Sequence, residues 1–361
     1  MADSTNSHLS NFQAVNFHME TAHSKRLAFF VLVITSLIWG ATGAIMKLTL
    51  EVIPVFLLAF LRFSIASLIL FPFVRKNLHI QKQHIFSLIL SGVLGISFNI
   101  AFFFLGLKLT TALNSGILLA STPIFTLTFA HFLLKEKMRI NFILGSILGI
   151  LGIITIISRD VLQHGFGGSP LGDVLILFSV LSFVGYETIA KKLFKVYNPF
   201  VITFYLFLIG SVTFLPFAIL QNLLDLSWVN KLSFPVAAGI LYGIFASSLT
   251  AYSLWDWGLS KLSESKVGFF LYLDPISSTI AAVILLSERI NPFFILGSVF
   301  IFAGLLFAEF HFNLGLFLGK KKMNIKSEYL TNENTGVVGN DFQSDLTSLS
   351  LIEAENKTGS K

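Results

Sequence analysis

Of the 361 residues, 54% are hydrophobic and only 12% charged, and the mean hydropathy is +0.80. A soluble core of this length does not need so much apolar surface, so a soluble globular protein is excluded and a multi-pass membrane protein is expected. The absence of cysteine excludes disulfides, cysteine nucleophiles and thiolate metal sites.

Residues 1–26 are polar and lack the apolar core of a signal peptide, so they read as a tail, with the first span expected to act as its own uncleaved targeting signal. Apolar stretches of about 20 residues then recur at about 27–46, 54–74, 84–106, 109–134, 139–158, 171–190, 199–220, 235–257, 264–286 and 291–310, which predicts ten spans. From 311 to 361 the chain is polar again. It opens with Lys320, Lys321, Lys322 and Lys326 and then turns acidic and rich in Ser, Thr and Asn, a composition that buries no core and is expected to stay disordered.

The hydrophobic body repeats itself. A shift of 152 residues lays Gly106, Gly116, Pro123, Glu136 and Gly152 on Gly258, Gly268, Pro275, Glu288 and Gly304, and the run Phe142-Ile143-Leu144-Gly145-Ser146 on Phe294-Ile295-Leu296-Gly297-Ser298. Nearer the start of each copy the offset is 145, pairing Gly40 with Gly185, Lys47 with Lys192 and Pro54 with Pro199, so the later copy carries seven extra residues in a loop. Five spans per copy is an odd number, and the second copy therefore sits inverted relative to the first. The expected organisation is an N-terminal tail 1–26, a first five-helix repeat 27–160, a second 161–310, and a C-terminal tail 311–361.

Orientation follows from Lys and Arg in alternate connections. One face collects seventeen, among them Arg75, Lys76, Lys135, Lys137, Lys191, Lys192, Lys195 and Lys261, whereas the other has five: Lys47, Lys108, Arg159, Lys231 and Arg289. Both termini are thus expected in the cytoplasm. The net charge of +6 is accounted for by this asymmetry, with no nucleic-acid partner.

The start of the first copy, Leu37-Ile38-Trp39-Gly40, Lys47 and Leu61-Arg62-Phe63, resembles the opening of an EamA domain, the ten-span branch of the drug/metabolite transporter superfamily. Ser121-Thr122-Pro123-Ile124 and Leu133-Leu134-Lys135-Glu136-Lys137 are similar to its closing half. The second copy repeats the pattern in Tyr272-Leu273-Asp274-Pro275-Ile276 and Leu285-Leu286-Ser287-Glu288-Arg289. The resemblance implies an all-α fold of two inverted five-helix bundles around a central cavity that moves small organic solutes by alternating access. The family more commonly carries Glu where this chain has Asp274, whose shorter side chain holds its carboxylate nearer the backbone.

Candidate cavity residues come from charge and helix breaks. Pro123 and Pro275 fall near the middle of their spans, where each weakens its helix, and inverted-repeat transporters place solutes at such midplane junctions. The alternative is that the two prolines only kink packing helices. Arg62 and Asp274 are the deepest charges, each costing about 2.5 to 3.5 kcal/mol at the bilayer centre and so expected to face a partner or water. Asp274 is read as binding a cationic or hydrogen-bonding group of the solute or carrying a coupling proton; Arg62 is read as a solute contact or a snorkelling or paired structural residue. Thr122 is a further candidate, Asn99 and Asn114 read either as interhelical hydrogen bonders or as cavity liners, and Trp39, Tyr186, Tyr205, Tyr252 and Tyr272 are candidate aromatic walls, the alternative in a chain with 40 Phe being plain packing.

Other charged positions read as structural. Glu187 and Lys191 have the spacing of a surface ion pair, and Asp256 lies between Trp255 and Trp257, which suit an interfacial belt. Glu136, Glu288, Lys47 and Lys192 are read as helix-end residues. Gly145, Gly149, Gly152, Gly297 and Gly304 predict close approach of the fifth and tenth spans. His131 has no second ligand at metal spacing, and no metal or cofactor is expected. Signatures of intramembrane enzymes are absent from the sequence. The reading is a secondary transporter of an amino acid-like, nucleotide-like or drug-like solute in the plasma (bacterial inner) membrane, an exporter or exchanger, with the lipid bilayer and the solute as its partners and the oligomeric state open. A channel or a non-transport membrane protein is the alternative.

Overall fold

In lipid every backbone N–H and C=O has to be satisfied within the chain, and helices do this segment by segment. The computed structural model describes residues 3–134, 140–164, 169–221, 226–262, 267 and 269–309, and among them there is no strand. All lie in one compact unit, Met1–His311. The C-terminal tail and Glu136 lie outside the described residues.

The first repeat contributes α1 (Asp3–Leu50), α2 (Val55–Val74), α3 (Lys82–Leu109), α4 (Ala112–Leu119), α5 (Thr122–Leu134) and α6 (Ile140–His164). The second contributes α7 (Ser169–Leu193), α8 (Pro199–Leu220), α9 (Phe234–Lys261), α10 (Asp274–Leu286) and α11 (Pro292–Glu309). Among the described residues six helices are long and apolar enough to cross a membrane: the Leu27–Leu50 part of α1, then α2, α3, α7, α8 and α9. Against the ten spans expected from hydropathy, the other four apolar helical stretches, Ala112–Thr126, Leu144–Ser158, Asp274–Leu286 and Pro292–Gly304, are shorter.

Two of the short ones have a visible cause. The fourth span is broken at Ala120 and Ser121 between α4 and α5, immediately before Pro123, and α10 is preceded by the tighter turn Phe269–Leu273, immediately before Pro275. Proline lacks the N–H that would continue the ladder backward, so the helix restarts there. The connection 221–233 after α8 is longer than 75–81 after α2 and holds the turn Leu226–Lys231, which is where the second copy's extra residues go.

Packing respects the duplication. Helix α2 packs on α8 and α6 on α11, each on its own counterpart; α3 packs on α7 as α9 packs on α1; and α1 packs on α10 as α7 packs on α4 and α5. A Cβ at Gly152 would lie 2.6 Å from the Gly297 carbonyl oxygen, and one at Gly304 2.4 Å from that of Gly145, so α6 and α11 touch through bare backbone. Large apolar side chains such as Leu68, Phe73, Phe86 and Ile284 face outward, as a lipid-facing surface requires.

Both third helices of the repeats contain π-helical winding, Val93–Phe98 in α3 and Tyr242–Tyr252 in α9. The 152-residue shift superposes these stretches. Such i→i+5 turns are rare and frequent at functional sites. Tyr252 links them: its hydroxyl lies 3.5 Å from the Gly95 carbonyl within the first stretch and donates to Asn99 Oδ1, just after it, at 3.3 Å.

Candidate functional site

A central cavity is walled by helices of both repeats and encloses about 770 Å3 of empty space, open solvent included. Helix α1 supplies Trp39, Gly40, Thr42 and Gly43; α3 supplies Asn99, Ile100 and Phe103; α4 and α5 supply Ser115, Gly116, Leu119 and Thr122. From the second repeat come Ser179, Val180 and Phe183 on α7, Ser247 and Tyr252 on α9, and Asp274 and Ser278 on α10. Arg62 of α2 and Leu271, just before α10, complete it. Among the described residues none of α6 or α11 lines it, and these two helices pack on each other.

Two glycines bring the walls together. A Cβ at Gly40 would lie 1.8 Å from Ser277 Oγ and 2.5 Å from the Asp274 carbonyl oxygen, and one at Gly116 2.0 Å from Ser278 Oγ. Without side chains there, α1 and α4 reach the start of α10 and expose its first turn to the cavity. Asp274 is the first residue of α10 and Thr122 the first of α5, so the repeat equivalence puts one at the restart of each broken span.

Arg62 is 1% exposed. Its Nε is shared between the Gly243 carbonyl and Ser248 Oγ, both at 3.1 Å, and its Nη2 donates to Ser247 Oγ at 3.0 Å. These acceptors lie on the π-helical stretch of α9, and a Cβ at Gly243 would crowd the Arg62 Cδ at 3.1 Å. Phe63 and Phe104 present their rings at 5.3 and 5.2 Å from the guanidinium carbon. Among the described residues the buried Nη1 has no hydrogen-bond partner, and neither has the buried Asp274 Oδ1.

The aromatic wall is one connected cluster. Trp39 packs at 5.0 Å on both Tyr252 and Trp255 and at 5.7 Å on Phe183, and its Nε1 donates to the Ser247 carbonyl at 3.2 Å. Asn99 Nδ2 donates to the Ser179 carbonyl and hydroxyl at 3.0 and 2.9 Å, joining α3 to α7.

Of the sequence candidates, Trp39, Arg62, Asn99, Thr122, Tyr252 and Asp274 line this cavity. Pro123 and Pro275 are buried directly behind Thr122 and Asp274. Three others lie elsewhere. Asn114 turns its amide toward Asp173, at 3.4 and 3.3 Å from the two carboxylate oxygens, the Tyr186 hydroxyl donates to Asp256, and the Tyr205 hydroxyl donates to the Leu78 carbonyl at 2.6 Å. The side chain of Tyr272 lies outside the described residues.

The helix-end candidates sort in the same way. Glu288 accepts from the Ala112 and Leu113 N–H groups at 2.8 and 2.9 Å, closing the N-terminus of α4 with a carboxylate where the helix dipole favours one. Lys47 donates to the Thr110 carbonyl at the end of α3. The equivalent bond in the second repeat, to the Leu262 carbonyl at the end of α9, comes from Lys191, while Lys192 is exposed. Lys191 and not Lys192 is therefore the structural counterpart of Lys47.

Asp256 and Glu187 correct the surface reading of both. Asp256 is fully buried, taking hydrogen bonds from the hydroxyls of Tyr186 and, at 2.5 Å, Thr203. Glu187 is 5% exposed and accepts from Trp255 Nε1 at 3.0 Å. Trp255 is buried against Trp39 instead of lying in an interfacial belt.

The sequence profile of the EamA-like transporter family matches residues 26–158 and again 170–310, one match per repeat. The chain belongs to the EamA-like transporter family. Relatives named as uncharacterized transporters agree. One from Archaeoglobus fulgidus is 29% identical over 282 residues, 76% of this chain and 94% of its own, and YoaV of Bacillus subtilis is 26% identical over 283 residues, 77% and 95% of the two chains. YetK of Bacillus subtilis is 28% identical over 285 residues, 77% of this chain and 85% of its own. A protein of known crystal structure shares the fold, with a TM-score of 0.57 at 19% identity over 79% of this EamA chain and 96% of its own.

Proposed function

We propose that this EamA protein is a secondary carrier that moves a small amphipathic organic solute by alternating access, with the central cavity as its binding site. The carrying observation is that the cavity draws walls from both repeats and opens beside the restarts of the two broken spans, at Thr122 and Asp274. The cavity's mixture of aromatic walls with a few polar anchors suits an amino acid-like, nucleotide-like or drug-like solute. In this reading repeats 27–160 and 161–310 rock about the cavity, both termini are cytoplasmic, the membrane is the plasma (bacterial inner) membrane, and the protein works as an exporter or exchanger.

Reconstitution into liposomes tests it. A carrier gives solute flux that saturates with concentration and is accelerated by solute on the far side. Flux that rises linearly, without counterflow, would replace the carrier by a channel.

A further inference from the structure

The connection 110–111 between α3 and α4 is held from three sides. Lys47 of α1 donates to the Thr110 carbonyl, and Glu288 takes the Ala112 and Leu113 N–H groups just beyond it. From the second repeat, Asp173 of α7 accepts the Thr110 hydroxyl, with the Asn114 amide at 3.4 and 3.3 Å from its two oxygens. Asp173 is fully buried and Thr110 is 2% exposed. Backbone contact closes the same end: a Cβ at Gly172 would lie 2.7 Å from the Thr110 nitrogen and 2.8 Å from the Gly106 carbonyl oxygen. The two repeats therefore touch here without side chains between them and are joined by bonds to a buried carboxylate.

At the mirrored end, where α9 meets α1, the equivalent positions cannot form these bonds. The 152-residue shift puts Leu262 where Thr110 stands. The 145-residue shift puts Ala28 where Asp173 stands, and the one-residue correction that Lys191 requires puts Phe29 there. None of the three has a polar side chain. A Cβ at Gly258, the counterpart of Gly106, would meet Leu32 Cδ2 at 2.7 Å, a flexible tip instead of backbone. Parting α9 from α1 at this end gives up apolar contact. Parting α3 from α7 also strips a buried carboxylate of its donors, and one such bond is worth about 10- to 100-fold in an equilibrium constant.

We propose that Asp173 is the lock of one gate, the external one in the orientation proposed above, and that no equal lock stands at the other. The repeat symmetry exchanges the contact of α3 on α7 with that of α9 on α1, so a carrier that opens one while closing the other passes between states that differ by this lock. With unequal gates the weaker one opens more often, and the empty cavity meets the cytoplasm more than the outside. Lys47 and Glu288 tie the lock to α1 and to the end of α10, and both helices supply cavity wall. This assignment rests on the carrier reading of the cavity and adds the residue that sets its resting direction.

The test reads access to the cavity and needs no solute. Leu119, half-buried beside the break in the fourth span, lines the cavity and is replaced by cysteine in the otherwise cysteine-free, full-length chain. Its labelling rate by a small impermeant methanethiosulfonate is measured in sealed vesicles of each orientation, with cysteines at Arg289 and Lys195, both exposed, marking the two faces. In Asp173→Ala the rate from the Arg289 face should rise about 10- to 100-fold, with no rise from the Lys195 face. Thr110→Val removes the hydroxyl at constant shape, should act in the same direction, and serves if Asp173→Ala does not fold. Asp173→Asn keeps an acceptor for Thr110 and should raise the rate less. Leu32→Ala, at the mirrored contact, should raise the rate from the Lys195 face instead.

Wild-type rates in folded Asp173→Ala and Thr110→Val, or a rise from both faces as in a merely loosened fold, would overturn the assignment. A change of face produced by Leu32→Ala alone would keep the carrier and remove the lock. Access that follows Asp173 in a protein whose solute flux rises linearly would keep the lock, as the gate of a pore, and remove the carrier.

Discussion

Gly304→Ala is a one-methyl change whose sign the structure determines. The new Cβ would lie 2.4 Å from the Gly145 carbonyl oxygen and 2.7 Å from the Gly149 nitrogen, both rigid backbone atoms of α6. Restoring an ordinary contact of about 3.5 Å requires α6 and α11 to part by about 1 Å, and a gap of that order forfeits roughly a quarter to a half of each contact's dispersion energy. Overpacking typically costs about 1–3 kcal/mol, and contact with backbone places this site in the upper half of that range. Against it stands the intrinsic preference of helices for Ala over Gly, about 1 kcal/mol. The net expectation is a loss of about 1–2 kcal/mol. Gly185→Ala is the control, since its Cβ would meet only the flexible tip of Leu94, at 3.2 Å. Thermal unfolding of both variants in detergent, with monodisperse yield from size-exclusion chromatography, reads the difference. Because no described residue of α6 or α11 lines the cavity, solute specificity should not change. A Gly304→Ala protein as stable as wild type, or one with normal yield and altered specificity, would refute the packing assignment.

Replacing Glu288 by Gln keeps one amide oxygen for the Ala112 and Leu113 N–H groups but removes the charge, and should destabilise by about 1–3 kcal/mol in the same unfolding assay. Wild-type stability in that variant would show that the start of α4 does not depend on the carboxylate. The cysteine-free chain also permits direct mapping of orientation. Single cysteines at Lys195 and Arg289, both exposed, should react with an impermeant maleimide from opposite faces: Arg289→Cys in intact cells, Lys195→Cys only after permeabilisation. Labelling of both from one face would contradict the inverted arrangement.

Much of this architecture is legible in the residues because lipid imposes one-dimensional rules. Span positions follow from apolar length, the duplication from matched Gly, Pro and Glu, and the helix restarts from Pro123 and Pro275. Arg62 and Asp274 could be singled out because a charge deep in a span is rare. Hydropathy fixes depth in the membrane but not which side of a helix faces inward. Hydropathy alone therefore places Glu187 and Asp256 at the surface, although Tyr186, Thr203 and Trp255 bury them between helices. The same limit hid Ser247 and Ser248, two unremarkable hydroxyls that the π-helical winding of α9 turns toward Arg62. Only rotation about the helix axis distinguishes Lys191 from its neighbour Lys192, and an offset of one residue in the repeat alignment was enough to select the wrong lysine.

Ser247 is a junction between three helices. Its carbonyl receives the Trp39 indole N–H, and its hydroxyl is hydrogen-bonded to Thr42 at 3.2 Å and takes the Arg62 guanidinium. Any displacement of α9 away from α1 and α2 must therefore break or carry along groups that also form the cavity wall. Affinity and turnover share the same few atoms, so a change as small as Ser247→Ala should alter them together, and selection acting on one would be felt by the other.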